Sequence, residues 1–387
     1  MNYSFSTVLM TILTSNLLIA VIVLCFRDRK IMLSIGYKLV LLFLGLTTVR
    51  FLLPVELPFT KNVNFFGLLA EIVVAIRHPY ISWKFVEISI VVLLGVVWLW
   101  GTVRQLRCLH DRKEKFRHFV TRYGVNVSNQ EPYRTIMAEI CGRRKNPLWV
   151  VIVPYYGTPM QYGTFQPYIV LPKTLDLSRE ELYCVLRHET AHYYHRDALI
   201  KDVIAFICAV YWWNPLCKIL QDKADILLEM RVDDKLICRD EETRDLYCRT
   251  LDEISVKLQG TPSIPGAVAA ISMAEVRGED LKYRQAMMRR KRKKFQKLLF
   301  CGMAGLATVL YICSYCFILE PLSRKEISVE EGINLVEDSS FYAVPCEDGS
   351  YDVYIDDFLG EDSSHEGQFI ENVDSLEYYF GISIRKE

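Results

Sequence analysis

Apolar residues gather in four long runs, at about 6–26, 31–53, 82–103 and 298–319. A hydrocarbon layer of about 30 Å takes roughly 20 mostly apolar residues as a helix, so each run predicts a membrane-spanning helix. No charge falls between Met1 and Arg27. That stretch lacks a basic leader region and a small-residue cleavage site, and reads as a retained anchor. The second and third runs carry internal charges such as Lys38, Lys84 and Glu87. A shorter run, 65–76, lies between Lys61 and Arg77; it is too short to span and suits the membrane interface.

Between the third and fourth runs the pattern changes. Residues 148–153 (LWVVIV) and 168–171 (YIVL) are short β-branched runs, with Pro154, Gly157, Pro159 and Gly163 between them. They predict strands joined by a turn. Ser178 then opens a helix, with Glu181 three residues on to complete a capping box. Leu182, Val185 and Leu186 mark one face of that helix. A second helix is expected over roughly 217–238.

Charge sets an orientation rather than a partner. The 387 residues hold 46 basic and 46 acidic side chains, which gives no reason to expect direct nucleic-acid binding. Yet 289–297 reads RRKRKKFQK, while 320–387 holds 18 acidic and 4 basic side chains. Arg27, Arg29 and Lys30 follow the first run; Arg104, Arg107, Arg112, Lys113, Lys115 and Arg117 follow the third. The positive-inside rule then puts the N-terminus and the tail outside and 104–297 in the cytoplasm. The layout is a three-helix membrane region (1–103), a cytoplasmic domain (104–297), a fourth membrane helix (298–319) and a short acidic extracytoplasmic tail (320–387). Twelve cysteines are scattered, Cys313 and Cys316 within an apolar run and Cys346 alone in the tail, as suits a reducing compartment for the central region.

The chemistry gathers at HETAH, His188 to His192. Four residues apart on a helix, His188 and His192 project from one side and can share a metal ion. Neutral imidazoles suit Zn²⁺ while leaving a coordination position open, and Glu189 is placed to take a proton from activated water. A third protein ligand must come from elsewhere. The expected 217–238 helix offers Asp222, Asp225, Glu229, Asp233 and Asp234; Glu229 and Asp233 share a face, but spacing alone does not separate Glu229 from Asp225. His195 points partly off the His188/His192 face, and Asp197 suits a structural hydrogen bond near the helix end.

The segments PMQYGTFQPYIVLP, VLRHETAHYYHRD, WWNPL and EMRVDD together resemble the BlaR/MecR-type antirepressor metallopeptidases. The likeness covers about 1–320 in layout and is dense over 150–237. It implies an α-helical membrane protein with an α+β gluzincin-like zinc metallopeptidase domain inserted between transmembrane helices 3 and 4, in a bacterial cell membrane. Carried over by position, it implies Zn²⁺ held by His188, His192 and Glu229, Glu189 as catalytic base, and Asp233 orienting a ligand from behind. Val232 stands where the family usually has Cys, and Asn214–Pro215 matches its NP turn. The implied partners are the lipid bilayer and a protein substrate, either a transcriptional repressor or the chain itself. Relatives of that type carry a large penicillin-binding sensor outside the membrane. Here the region after the fourth run has 68 residues, and its S-x-x-K, Ser383 to Lys386, reads as coincidence. Its Tyr351, Val353, Tyr354 and Ile355 suggest a small sheet. The competing readings are a housekeeping or prenyl-protein-type membrane protease and a catalytically silent receptor or scaffold.

Overall fold

The computed structural model describes residues 5–55, 58, 60–65, 72–73, 79–83, 86–142, 148–154, 157–237, 241–259, 278–289, 294–321, 334–335, 341–345, 351–356 and 367–373. The apolar run 65–76 lies mostly outside them, as do Cys346 and Ser383–Lys386. Two compact units result, one of Met1–Lys61 with Leu93–Ile318, the other of Asn62–Val92 with Leu319–Glu387.

The first unit begins with α1 (Phe5–Arg27), α2 (Arg29–Ile35) and α3 (Tyr37–Leu52). On α1 a stripe of Thr7, Thr11, Ser15, Ile19 and Ile22 is buried, while Leu13, Leu17 and Leu24 point outward. The spacing of three and four is that of one helical face. The expected helix over 31–53 is not one straight rod: α2 and α3 meet at 89°. Gly36, at φ 88°, makes the break, a backbone region that costs a side chain but not glycine.

The third run also needs correction at its start. Residues Pro79–Trp83 (β2) and Val86–Ser89 (β3) pair as antiparallel strands, and the helix α4 runs Ile90–Tyr123. β-Branched and aromatic residues at 81–88 satisfy a strand as readily as an apolar helix, so apolarity alone misplaced the boundary. Among the described residues, α1 and α4 are long and apolar enough to cross a membrane; α2 with α3 is a third if the bent pair counts as one span. The last helix, which includes the apolar stretch Phe300–Cys316, stops where Phe317 begins a strand, short of the expected residue 319.

After β1 (Lys61–Phe65), which precedes β2, and β4 (Val125–Asn126), which follows α4, come α5 (Tyr133–Cys141), β5 (Trp149–Val153), β6 (Met160–Tyr162) and β7 (Tyr168–Pro172). The sheet order is β4-β5-β7-β6, with β5 parallel to β7 and β6 antiparallel to it. The two expected strands are therefore not a simple hairpin. The segment between them supplies β6 on the far side of β7, which lets β5 and β7 run the same way. Both faces are covered. Val150, Ile169 and Leu171 pack with Ile136 of α5 and with Leu182, Val185 and Leu186 on the next helix; Val151, Val153 and Val170 pack with Phe116 and Val120 of α4. Two covered faces explain why these strands read as continuous apolar runs rather than alternating ones.

Four helices follow: α6 (Arg179–Tyr194), α7 (Asp197–Val210), α8 (Pro215–Leu236) and α9 (Glu241–Gln259). Then come α10 (Gly278–Met288) and α11 (Lys294–Cys316). The capping box at Ser178 and Glu181 forms as expected. Asn214 caps α8 through the Leu216 N–H, with Pro215 in the first turn. α7 and α8 do not stand apart from the apolar helices. Ile204, Ile207, Leu220, Ala224 and Leu227 share one core with Ile19 and Ile22 of α1 and Leu39 and Phe43 of α3.

The second unit contains the β2–β3 pair and, in the C-terminal segment, the end of β8 (Phe317–Pro321), then β9 (Asn334–Leu335), β10 (Phe341–Pro345), β11 (Tyr351–Asp356) and β12 (Gly367–Val373). The last four form an antiparallel sheet in the order β12-β11-β10-β9, so the small sheet expected around Tyr351–Ile355 is present.

Candidate metal centre

α6 and α8 meet where the histidines face the carboxylate. His188 and His192 are both buried. Their Nε2 atoms lie 3.0 Å apart, and Glu229 reaches them at 3.1 Å (Oε2 to His188) and 3.3 Å (Oε1 to His192). Four ligands held tetrahedrally at about 2.0–2.1 Å would sit roughly 3.3 Å from one another. The observed edges match that spacing, and a set of two imidazoles and one carboxylate suits a zinc-like ion. Glu229 is thus the carboxylate that joins the histidines. Asp225 instead pairs with Lys201 at 3.2 Å, and Asp234 with Lys38 and the Tyr37 hydroxyl. His195 caps α6 and is not part of the cluster; its Nδ1 is buried without a hydrogen-bond partner.

Each histidine is held from behind. Asp197 Oδ2 lies 2.6 Å from His192 Nδ1. It gets there because Arg196 adopts a left-handed backbone, φ 56°, that turns the chain sharply from α6 into α7. The Arg231 guanidinium pairs with the other oxygen of Asp197. On the other histidine, Tyr247 of α9 stands 2.9 Å from His188 Nδ1 and donates its hydroxyl hydrogen to Asp233 Oδ1 at 3.0 Å. The tyrosine oxygen therefore accepts from His188. With an ion at the centre, both imidazoles would carry their proton on Nδ1 and turn an Nε2 lone pair to it.

Asp233 lies behind His188 with Tyr247 between them: the direct Nδ1–Oδ1 separation is 3.8 Å. Arg284 of α10 grips Asp233 with two hydrogen bonds, 2.7 and 2.8 Å, and reaches Glu229 at 3.2 Å. Burial alone would push the Glu229 carboxyl up, but His192, Arg284 and the hydrogen bonds from both histidines hold it well below the usual carboxylate range. Burial, then the charge of Asp233, pushes the Tyr247 hydroxyl well above its ordinary value, so it stays a donor. Tyr247 and Arg284 had no signal in the sequence. They lie on helices remote from HETAH, with no motif spacing to it.

Glu189 sits beside the first histidine and is buried. Its Oε2 accepts a hydrogen bond of 2.7 Å from the Gln161 N–H of β6. Burial raises its pKa above the ordinary carboxylate value, against the opposing pull of His192 and His188. A carboxyl tuned upward beside such a cluster is suited to exchanging protons.

The family described as BlaR1 peptidase M56 matches residues 6–288, a span that holds every residue of this cluster. The chain belongs to that family. The family is described as a peptidase, and the His-His-Glu group of this chain offers a place for a metal. Over 81 residues the chain is 37% identical to "Regulatory protein BlaR1" of Bacillus licheniformis, 21% of this chain and 14% of that protein. The chain thus spans a small part of the length of that relative, and residues 289–387 lie beyond the family match.

Proposed function

We propose that the chain is a membrane-anchored zinc endopeptidase of signal transduction, whose target is itself or a cytoplasmic regulator such as a transcriptional repressor. The observation that carries this reading is the convergence of His188, His192 and Glu229 around one point, with Glu189 beside it. In this proposal a gluzincin-like domain lies between the third and fourth membrane helices and faces the cytoplasm, and the tail faces outward. Bound Zn²⁺ would supply Lewis acidity toward water and the scissile carbonyl. Asp197 and Tyr247 fix the imidazole tautomers. Glu189, with one oxygen held by Gln161, takes a proton from the attacking water and returns it to the leaving amine.

An extended substrate has a strand edge available beside the cluster. β5 is interior, flanked by β4 and β7, whereas β6 is the last strand of its sheet and bonds Glu189 directly. β6 is therefore the edge on which a peptide would align. Replacement Glu189→Gln keeps size and hydrogen bonding but removes the base. Cells carrying it should stop processing the target; processing at the wild-type level refutes the peptidase reading and favours a silent receptor.

A further inference from the structure

The loop between α7 and α8 is held by apolar helices. Asn214 Nδ2 donates to Asn16 Oδ1 at 2.7 Å, and nine residues further along α8 the Lys223 ammonium lies 4.9 Å from the centre of the Phe26 ring. α8 therefore runs beside α1 in register from the basic end, Arg27, inward. The ten residues from Asn16 to Phe26 span about 15 Å, half of a hydrocarbon layer of about 30 Å. Other contacts agree on the depth. The Tyr211 hydroxyl donates to Phe51 O near the far end of α3. Trp98 Nε1 donates to Val210 O at 2.8 Å, and Trp212 Nε1 donates to Trp98 O at 3.3 Å. Trp98 belongs to the exposed apolar stretch of α4, Val92–Trp100, that precedes Arg104. Gly101 lets the Trp212 ring lie flat on α4, in space that a Cβ would occupy.

We propose that α7 and α8 form a re-entrant hairpin whose tip, Tyr211–Asn214, lies inside the bilayer and whose outward side chains contact lipid acyl chains. It rests on the reading of α1 and α4 as membrane spans. Phe206 and Trp213 are nearly half exposed, and Trp212, next to Trp213 in the chain, bonds to the exposed stretch of α4. The turn has the internal hydrogen bonding that hydrocarbon demands: Asn214 N–H donates to Tyr211 O, and the Asn214 side chain accepts from Leu216 N–H. The charged residues of α8 fit too. Asp222 and Lys223 stand level with the basic end of α1, and exposed Lys218 is one turn deeper, within reach of the interface along its flexible stem. Part of the 104–297 segment is then inside the membrane rather than in the cytoplasm. Since α8 also carries Glu229 and Asp233, a shift of α1 or α3 would move the metal centre directly.

The test uses the full chain in native membranes containing a radiolabelled phospholipid. The photo-crosslinking residue p-benzoylphenylalanine is placed singly at the positions of Phe206, Trp213, Val97 and Trp149. Lipid adducts at 206, 213 and 97 and none at 149, on the sheet, are the expected result. Adducts at 97 without adducts at 206 and 213 overturn the hairpin while leaving the α4 span intact. No adduct at 97 overturns the span reading, and the hairpin with it.

Discussion

Arg284 is the clearest lever on the metal centre. Its guanidinium is the only cation described in contact with Asp233 and Glu229, and its side chain is 11% exposed against 1% for Asp233. Arg284→Met keeps much of the volume and removes the charge. Asp233 then stays buried with Tyr247 as its remaining partner, and Glu229 loses a 3.2 Å contact. Breaking one half of a buried ion pair costs about 3–5 kcal/mol, because the survivor is left charged and uncompensated. We expect that loss in the metal-free protein, read as the shift of its unfolding midpoint in detergent. Asp233→Asn alone should also destabilise, by leaving Arg284 without its main partner. Combining the two should cost about 1–3 kcal/mol less than the sum, as expected for residues sharing one network. A strictly additive pair, or an Arg284→Met protein within about 0.5 kcal/mol of wild type, would refute the argument.

Asp197→Asn should weaken zinc binding by about 10–100-fold, since it no longer holds His192 in the required tautomer; competition with a chromophoric chelator measures this. Tyr247→Phe removes one hydroxyl between His188 and Asp233 and should lower zinc affinity in the same range while the helical circular dichroism is kept. Gly101→Ala ordinarily gains about 1 kcal/mol in a helix interior. Here it must displace the Trp212 ring and should instead cost about 1–3 kcal/mol, which a thermal melt of the full chain will show.

Local signals were the legible part of this chain. Two histidines four apart on a capped helix, a carboxylate-bearing helix over roughly 217–238, and β-branched runs for β5 and β7 all depend on neighbours in sequence. Spacing does not separate Glu229 from Asp225, because both belong to the same helix; the packing of α8 on α6 brings Glu229 to the histidines and leaves Asp225 with Lys201. What was hidden depends on long-range packing. Tyr247 reaches His188 from 59 residues away and Arg284 reaches Asp233 from 51. Apolarity counts misjudged 31–53 and 82–89 because they do not register a glycine break or distinguish a strand from a helix. They also passed over Arg50, which is 1% exposed within α3, donates to Thr14 Oγ1 and Ser314 O, and stacks on the Tyr315 ring. A charge so placed knits three apolar helices together, where a residue-by-residue reading registers only a blemish in a hydrophobic run.

His188, His192 and Glu229 make up the proposed zinc site, with Glu189 beside it but not in it. Metal content of the purified full chain, measured by plasma mass spectrometry after dialysis against a weak chelator, tests it directly. One zinc per chain is expected in the wild type and in Glu189→Gln, with most of it lost in Glu229→Gln. Full zinc occupancy in Glu229→Gln, or none in the wild type, would contradict the account.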